Sequence, residues 1–373
     1  MSWTLIYLLA FAFSLALTAY IIPKILVISF KKKLFDVVDA RKVHTGYVPR
    51  LGGVSFTPTI IITSCLLVGL NIIFGAKHSM AFAYWAPEAT LYLCSLIFLY
   101  LEGITDDLVG VGYKKKFALM FFIALMVVLS GTYISDFQGV LGLHRLPAVV
   151  GGLLTMVLVV FVINAINLID GVDGLASGLS MLAFFFFFVI FAQLGDTLFA
   201  VLALMSLGML IPFWVYNVFG SIEKQRKIFM GDTGAQTIGL LLSVLAIRLA
   251  MAEPGELPWL TNPLALSMTL LLVPCFDVLR VFMWRLRHKR NPFLPDKEHI
   301  HHKLMTIGMS ARTSMTTIIA IEAFYILLNL LLLQILNVNV VLLVDIVAYA
   351  ALHILLTRII REKEKINAAQ QNA

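Results

Sequence analysis

Long apolar segments alternate with short polar loops along almost the whole of this 373-residue chain. About 20 apolar residues are enough for a helix to cross the ~30 Å hydrocarbon core of a bilayer. The pattern therefore predicts an all-α, polytopic membrane protein with about 11 transmembrane helices. Residues 1–360 would form one bundle, and residues 361–373 a charged, then polar, frayed tail. The predicted spans lie near residues 3–29, 53–75, 88–105, 117–135, 148–166, 178–194, 198–217, 234–251, 261–284, 313–335 and 339–358.

The composition agrees with a membrane protein, since 60% of the residues are apolar and 13% are charged. Soluble domains are roughly 25% charged. The first segment lacks a basic start and a small-residue cleavage site, so we expect it to remain as the first helix. Cys65, Cys94 and Cys275 stand singly in apolar segments, and we predict that all three are buried small hydrophobes. No nucleic-acid-binding motif is visible.

The basic residues predict the orientation of the bundle. With the N-terminus outside, 23 of the 28 Lys and Arg residues fall in loops or the tail on one side, and three fall on the other. Because Lys and Arg stay on the cytoplasmic side, we expect the N-terminus outside and the C-terminus in the cytoplasm. The net charge of +7 follows from this bias or from a basic mouth that attracts phosphates or anionic lipid.

Five polar clusters interrupt the apolar pattern, and all five fall on the predicted cytoplasmic side. Polar groups are costly to place in such a bundle and usually serve a function. The presence of all five polar clusters on one side of the membrane therefore indicates an enzyme. The clusters lie at residues 39–50, 106–116, 167–173, 229–233 and 296–302.

Two adjacent carboxylates, Asp106 and Asp107, end the third span and precede three lysines at 114–116. Adjacent carboxylates repel each other unless a cation or a proton lies between them. The lysines supply positive charge for phosphate oxygens. A helix cap or a solvated loop is the alternative interpretation.

Asn167, Asp170 and Asp173 recur every three residues, which predicts that they share one face of a helix. Gly171 and Gly174 would keep the surface beside them open. Each acidic group would cost ~2.5–3.5 kcal/mol if it faced lipid at the membrane centre. We therefore expect this stripe to face a wet cavity.

The run from Phe229 to Gly234 precedes the eighth span. Its two glycines would let a ligand approach the backbone closely. Asp232 offers an oxygen ligand for Mg²⁺, and Phe229 could stack on a base. The alternative is an ordinary helix N-cap with glycines.

Three histidines, His299, His301 and His302, follow the ninth span. Their spacing does not favour zinc, so we expect them to donate hydrogen bonds to pyrophosphate oxygens. Zinc and a solvated loop remain the alternatives. Asp277, within the ninth span, is either functional or paired with Arg280 three residues later.

Together these groups suggest Mg²⁺-assisted phosphoryl chemistry on a membrane substrate. The runs NLIDGVDG, FMGDTG and PDKEHIHH, with the aspartate pair and RKVHTGYVPRLGG, resemble the bacterial polyprenyl-phosphate N-acetylhexosamine-1-phosphate transferases of glycosyltransferase family 4. The motifs match in order over about residues 35–310. The resemblance implies a bundle of about ten or eleven helices in the bacterial inner membrane, with a cytoplasmic active site.

Two sequence differences from the phospho-MurNAc-pentapeptide transferases, which form one branch of this family, indicate which branch this chain resembles. That branch has three consecutive histidines and a TPTMGG-like first loop, whereas this chain has His-Ile-His-His at 299–302 and PRLGG. The chain is thus similar to the branch that uses UDP-GlcNAc. The resemblance implies transfer of GlcNAc-1-phosphate to undecaprenyl phosphate with release of UMP. This would be the first membrane step of a cell-surface polysaccharide of the O-antigen, common-antigen or teichoic-acid type.

The resemblance also implies roles for individual residues. Asp232 and Asn167 match the positions that hold Mg²⁺, for which Mn²⁺ is an alternative. The catalytic group is Asp106 and Asp107, where the lipid phosphate attacks, with Asp170 and Asp173. The predicted substrate-binding residues are the phosphate-binding Lys116, the uracil-packing Phe229, His299, His301, His302, Asp39, Arg41 and His44.

Several alternatives stay open at this point. The donor could be another UDP-N-acetylhexosamine, and the acceptor could attack directly or through a covalent aspartyl intermediate. Transport and a catalytically silent scaffold are the competing classes, although the sequence shows neither an inverted repeat nor broken helices in matching halves. A homodimer is left open.

Overall fold

The structure is a computed structural model that describes residues 2–35, 47–74, 80–289 and 298–371, with the backbone alone for residues 80–86 and 367–371. These ranges contain helices, turns and one isolated β-bridge, between Asp136 and Arg145, but no β-strand. The α-helices are α1 Trp3–Lys32, α2 Phe56–Phe74, α3 Met80–Val109, α4 Tyr113–Leu129, α5 Ala148–Ile169, α6 Leu175–Leu194, α7 Thr197–Phe219, α8 Gly231–Ala250, α9 Pro263–Thr269, α10 Leu272–Arg287, α11 Ile300–Thr306, α12 Ala311–Ile335 and α13 Val338–Gln371.

The helices confirm the prediction of an all-α, polytopic membrane protein. Within the described ranges, nine helices are long and apolar enough to cross a membrane, and the pair α9–α10 makes a tenth if it is one bent span. The remaining predicted span, the fourth at 117–135, overlaps α4, which has 17 residues. Each predicted span therefore contains a helix. The orientation of the termini stays a prediction.

The predicted span at 261–284 is not one straight helix. Its two parts, α9 and α10, meet at an angle of 72°. The break frees the backbone N–H groups of Leu272 and Val273, which donate to the two carboxylate oxygens of Glu322 at 3.2 and 2.8 Å. Irregular backbone at membrane depth needs such a partner from a neighbouring helix. The apolar pattern could not reveal the break because Glu322 lies on α12.

Helix α8 is the centre of the bundle. In its most apolar stretch 89% of the residues are buried, against 28% in α1 and α13. Its first turn is packed tightly by two glycines: a Cβ on Gly53 would lie 2.1 Å from Gly234 Cα, and a Cβ on Gly103 would lie 2.5 Å from Thr233 Cα. Only glycine permits these approaches. They bring α3 and the short turn at 52–55 against the start of α8.

Two smaller predictions were wrong. Cys65 and Cys94 are exposed on the helix bundle and Cys275 is half-buried, although we predicted three buried cysteines. The outward face of a span borders lipid, so a small apolar residue there need not be covered by protein. The tail is not frayed either, because α13 continues without a break to Gln371.

Candidate active site

The N-terminus of α8 is capped by Asp107, which comes from the last turn of α3. Asp107 Oδ1 accepts the backbone N–H of Asp232 at 2.7 Å. Asp107 Oδ2 accepts the backbone N–H of Thr233 at 3.0 Å and its hydroxyl at 2.6 Å. The first N–H groups of a helix have no partner inside it and carry the positive end of its dipole. The negative charge of Asp107 is therefore held by α8.

The neighbouring carboxylate, Asp106, is neutralised in a different way. Its Oδ2 accepts a hydrogen bond from Lys116 Nζ at 2.7 Å, and its Oδ1 accepts the N–H of Val111 at the same distance. Lys116 Nζ also donates to Asp232 Oδ1 at 2.9 Å. Lys116 thus joins two carboxylates that arrive from α3 and α8. This explains how Asp106 and Asp107 coexist side by side, since one is bound to a lysine and the other to a helix end.

Asn167, in the last turn of α5, completes the same group. Its side-chain amide Nδ2 donates to Asp232 Oδ1, the oxygen that Lys116 also contacts. Three separate motifs of the sequence therefore meet at one carboxylate. They come from α4, α5 and the first turn of α8.

Asp170 and Asp173 do not continue the helix face of Asn167, so the predicted single stripe was wrong. Helix α5 ends at Ile169, and Asp170 takes the non-helical conformation φ −75°, ψ 46°. Gly174 has φ +78°, a left-handed conformation that glycine adopts easily. The acidic run therefore forms a turn between α5 and α6 instead of a helical stripe.

The two carboxylates of this turn have different environments. Burial, together with the negative charges of Asp173 and Asp232, raises the pKa of Asp170 to about 7, and the charge of Arg50 opposes this rise. Asp173 Oδ2 instead forms an ion pair with Lys227 Nζ at 2.6 Å. Near neutral pH, Asp170 is thus able to hold or release a proton.

Lys227 and Asn217 belong to the site, although the sequence analysis missed them. Asn217 Oδ1 accepts the backbone N–H of Gly174 at 2.6 Å, and Asn217 Nδ2 donates to the carbonyl of Ile228 at 2.9 Å. Together with the Asp173–Lys227 pair, Asn217 fastens the acidic turn to the segment that leads into α8. The position of Lys227, just before the FMGDTG run, was a weak sign in the sequence that Lys227 belongs to the site. Asn217 lies inside an apolar helix and gave none.

The segment before α8 is also paired with the first loop. The N–H of Phe229 donates to the carbonyl of Pro49 at 2.8 Å, and the N–H of Gly52 donates to the carbonyl of Phe229 at 2.9 Å. The side chain of Phe229 is half-buried. The backbone of this aromatic residue is therefore fixed on two sides. Three predicted substrate-binding residues of the same loop, Asp39, Arg41 and His44, lie outside the described residues.

The histidine motif forms the start of the short helix α11. His299 is buried, and its Nδ1 lies 2.8 Å from Asp277 Oδ2. Asp277 also accepts the N–H of Ile300 at 3.1 Å and a hydrogen bond from Arg280 at 2.9 Å. Asp277 thus pairs with Arg280, as one interpretation predicted, and in addition fixes His299 and the first turn of α11.

His301 packs against the acidic turn between α5 and α6, and His302 lies beside His301. A Cβ on Gly171 would lie 2.4 Å from His301 Nε2, so the imidazole packs directly against the glycine of the NLIDGVDG run. Burial, together with the neighbouring His302 and His299, lowers the pKa of His301 to about 3. His301 is therefore a neutral imidazole at neutral pH. The His302 ring lies 4.2 Å from that of His301 and is half-buried.

The oxygen-rich group around Asp232 fits a magnesium ion. Asp232 is 31% exposed, and both Lys116 and Asn167 contact only its Oδ1. Mg²⁺ usually takes one or two protein carboxylates, with water and phosphate oxygens as its other ligands. In the described part of the chain no group of three or more His, Cys, Asp or Glu side chains could hold a metal ion. The fit therefore rests on Asp232 Oδ2, which neither Lys116 nor Asn167 contacts.

Two comparisons with known proteins bear on this site. Residues 89–250, which include Asp106, Lys116, the acidic turn and Asp232, match the model of the family described as glycosyl transferase family 4. The recognised resemblance is thereby confirmed.

Individual proteins match over most of the chain. It is 27% identical over 290 residues to the undecaprenyl-phosphate alpha-N-acetylglucosaminyl 1-phosphate transferase of Escherichia coli (strain K12), covering 77% of this chain and 73% of that protein. It is 29% identical over 312 residues to the probable undecaprenyl-phosphate N-acetylglucosaminyl 1-phosphate transferase of Bacillus subtilis (strain 168), covering 83% and 80%. The protein of Yersinia pestis with the same name as the first is 27% identical over 320 residues, covering 85% and 80%.

Proposed function

We propose, from its similarity to glycosyl transferase family 4, that this protein transfers N-acetylglucosamine-1-phosphate from UDP-GlcNAc to undecaprenyl phosphate and releases UMP. The observation that carries the proposal is the meeting of Asp106, Lys116, Asn167 and Asp232 at the start of α8, where Asp107 caps the helix. Phosphoryl transfer depends mainly on positioning and charge stabilisation. This group of side chains supplies both.

Asp106 and Asp107 have separate tasks in this proposal. Both oxygens of Asp107 are engaged by α8, so Asp107 positions the first turn that carries Asp232. Asp106 is bonded to the side chain of Lys116 instead of a helix end, and it is the carboxylate that orients the acceptor phosphate or takes its remaining proton. The acceptor is a phosphate monoester whose second pKa is about 6, so most of it is already ionised. A strong general base is not needed, and we favour direct displacement.

Lys116 and the metal site act on the leaving group. The ammonium of Lys116 has three donors, two of which are used by Asp106 and Asp232. The third can donate to a diphosphate oxygen. We assign Mg²⁺, with Mn²⁺ as the alternative, to Asp232 with Asn167. Such an ion, when bound, stabilises negative charge on phosphoryl oxygens.

The donor nucleotide would lie between Phe229 and α11. Phe229 is held by backbone bonds on both sides and packs on the uracil ring. The neutral His301 and the neighbouring His302 donate to diphosphate oxygens. His299 is buried against Asp277, so it positions α11 instead of facing the substrate. The predicted roles of Asp39, Arg41 and His44 stay part of the proposal.

The location rests on the distribution of basic residues. The sequence pattern predicts that 23 of the 28 Lys and Arg residues fall on the side of the site, which we take to be the cytoplasmic face of a bacterial inner membrane. The enzyme would work there as a multi-pass protein on two substrates, one soluble and one in the bilayer.

Release of UMP by purified protein tests the function directly. The protein is given undecaprenyl phosphate, Mg²⁺ and, one at a time, UDP-GlcNAc, UDP-GalNAc, UDP-QuiNAc and UDP-FucNAc. We expect lipid-dependent release with UDP-GlcNAc, loss of release when Mg²⁺ is chelated, and loss in Asp232→Ala. Glu256→Ala, an exposed carboxylate far from the site, is the matched control. Release with a different sugar would correct the donor, and no release with any would refute the proposal.

Rapid mixing separates direct displacement from a covalent intermediate. Without lipid acceptor, direct displacement predicts no burst of UMP. A burst equal to the enzyme concentration would instead show that a protein carboxylate attacks first.

Transport receives less support from the structure. A transporter built from two repeats would have a broken helix in the same position of each repeat. The described ranges contain one bent helix pair, α9–α10.

A further inference from the structure

One face of α13 carries a row of polar side chains through the bundle. Asp345, Tyr349, His353 and Thr357 follow one another at intervals of four residues, which places them on the same side of the helix. The row extends over about 18 Å along the helix axis. Asp345 is 2% exposed, Tyr349 4% and His353 5%. Buried polar groups inside a membrane protein are expensive and call for a functional explanation.

Most polar atoms in this row lack a hydrogen-bond partner. Among the described residues, nothing bonds to Asp345 Oδ1, to the hydroxyl of Tyr349, or to either ring nitrogen of His353. The same holds for Asn329 Oδ1 on α12, although Asn329 Nδ2 donates to Asp345 Oδ2 at 2.8 Å. The large majority of buried side-chain polar atoms have a hydrogen-bond partner, either in the protein or in ordered water. Four unmatched atoms along one face of α13, with a fifth on α12 beside them, therefore belong together.

The row, which we call the α13 seam, is anchored at both ends. At one end, Thr357 Oγ1 accepts Lys303 Nζ of α11 at 3.1 Å, and the charges of Arg280, Asp277 and Lys303 act on His353. At the other end, Asn329 donates to Thr269 Oγ1 at 3.0 Å, in the last residue of α9 before the helix break. The α13 seam thus runs from the histidine helix to the break between α9 and α10.

The mixture of unmatched atoms identifies the ligand class. The tyrosine hydroxyl and one nitrogen of a neutral imidazole are donors, whereas the other imidazole nitrogen, Asp345 Oδ1 and Asn329 Oδ1 are acceptors. A metal cation would satisfy only the acceptors, and an anion only the donors. A small molecule that both donates and accepts satisfies all five.

We propose that the α13 seam binds a file of water molecules between Asp345 and the Lys303–Thr357 contact. Each water would bridge polar atoms from adjacent turns of α13, and buried waters typically make about three such bonds. The rings of Tyr349 and His353, whose centroids are 4.7 Å apart, form one wall of the file. The proposal does not depend on the transferase activity.

Radiolytic footprinting of the intact protein in lipid nanodiscs tests the proposal, because X-rays generate hydroxyl radicals from water bound next to a side chain. Tyr92 is the matched control: it is also buried, at 8% exposure, but its hydroxyl is bonded to Thr132. We expect Tyr349 and His353 to be oxidised several-fold faster than Tyr92 and than the fully buried Phe213. Oxidation of Tyr349 no faster than that of Tyr92 would overturn the proposal.

Thermal unfolding of Tyr349→Phe gives a second, independent readout. A hydroxyl bonded to water stabilises the fold, so its removal should lower the Tm, as Tyr92→Phe should by removing the bond to Thr132. A buried hydroxyl that is bonded neither to water nor to protein would instead destabilise the folded state. A Tm of Tyr349→Phe that is unchanged or higher would therefore also contradict bound water.

Discussion

The start of α8 and the α13 seam both bury polar side chains, but they satisfy them in opposite ways. At the start of α8, Asp107 accepts backbone and hydroxyl hydrogens of Asp232 and Thr233, and Lys116 bridges Asp106 to Asp232. In the α13 seam, Asp345 keeps one bonded oxygen, and Tyr349 and His353 have no side-chain hydrogen bond among the described residues.

The difference follows from where each group meets a helix. A helix end offers free N–H groups, whereas in mid-helix every backbone group is already bonded. A carboxylate beside an N-terminus therefore finds donors without any other side chain. Glu322 supports this explanation from within the membrane region, because it is satisfied where the α9–α10 break creates a new N-terminus.

The largest expected effect comes from the two adjacent aspartates. Asp106→Asn and Asp107→Asn should each reduce kcat roughly 10²–10³-fold, as loss of a charge-stabilising group does. Only Asp107→Asn should also destabilise the fold, by about 2 kcal/mol, because its new amide donors face the N–H groups of α8. Activity assays and thermal unfolding of both variants check this. Equal Tm values would refute the separate roles.

The next largest effect on stability concerns the ion pair between Asp173 and Lys227, which joins the acidic turn to the segment that leads into α8. Lys227→Met removes the ammonium that lies 2.6 Å from Asp173 Oδ2, and breaking this largely buried ion pair should cost about 2 kcal/mol after allowing for partial exposure. Lys224→Met, three residues earlier and exposed, is the control and should have little effect.

A charge swap sharpens the same prediction. The double variant Lys227→Asp with Asp173→Lys should recover part of the stability lost in each single variant. Lack of any recovery would mean that the 2.6 Å contact contributes nothing by itself.

A third effect should appear when the pH is lowered. The pKa of His301 falls from the usual 6.5 to about 3 in the folded protein, so below pH 6.5 the unfolded chain binds a proton that the folded chain does not. Stability contributed by the neutral imidazole is complete above pH 6.5 and is lost as the pH falls toward 3. Between pH 6.5 and 5 the loss should reach about 2 kcal/mol.

Thermal unfolding from pH 7.5 to 5 measures this loss. His301→Gln cannot titrate, so its Tm should fall less steeply over the same range. Parallel curves for the wild type and the variant would exclude His301 as the source.

The smallest expected effect is a difference in stability between variants of Glu322 and Asp345, two carboxylates inside the bundle. Glu322→Gln leaves one oxygen for two backbone N–H groups and should cost about 1 kcal/mol. Asp345→Asn keeps an oxygen for Asn329 and should cost less. If Asp345→Asn proved the more destabilising of the two in thermal unfolding, helix-end donors would not explain the comparison.

Much of the site was predictable because each motif carries its own chemistry. Asp106, Asp107, Lys116, Asn167 and Asp232 were all singled out, and the structure brings them together. The helix stripe through Asp170 and Asp173 was wrong because spacing alone cannot show that α5 ends at Ile169 and that α6 begins only after Gly174. Asn217 was missed because a lone polar residue in an apolar segment does not reveal its distant partners.

The sequence by itself determined that the chain crosses a membrane many times and collects its chemistry on one side. Apolar length and the positions of charged residues are local properties, and the bilayer acts on them directly. Only the tertiary structure decided which carboxylate caps α8, which one meets Lys116, where the ninth span breaks and which face of α13 is polar. Those outcomes depend on contacts between helices far apart in the chain, and no local pattern encodes the partner.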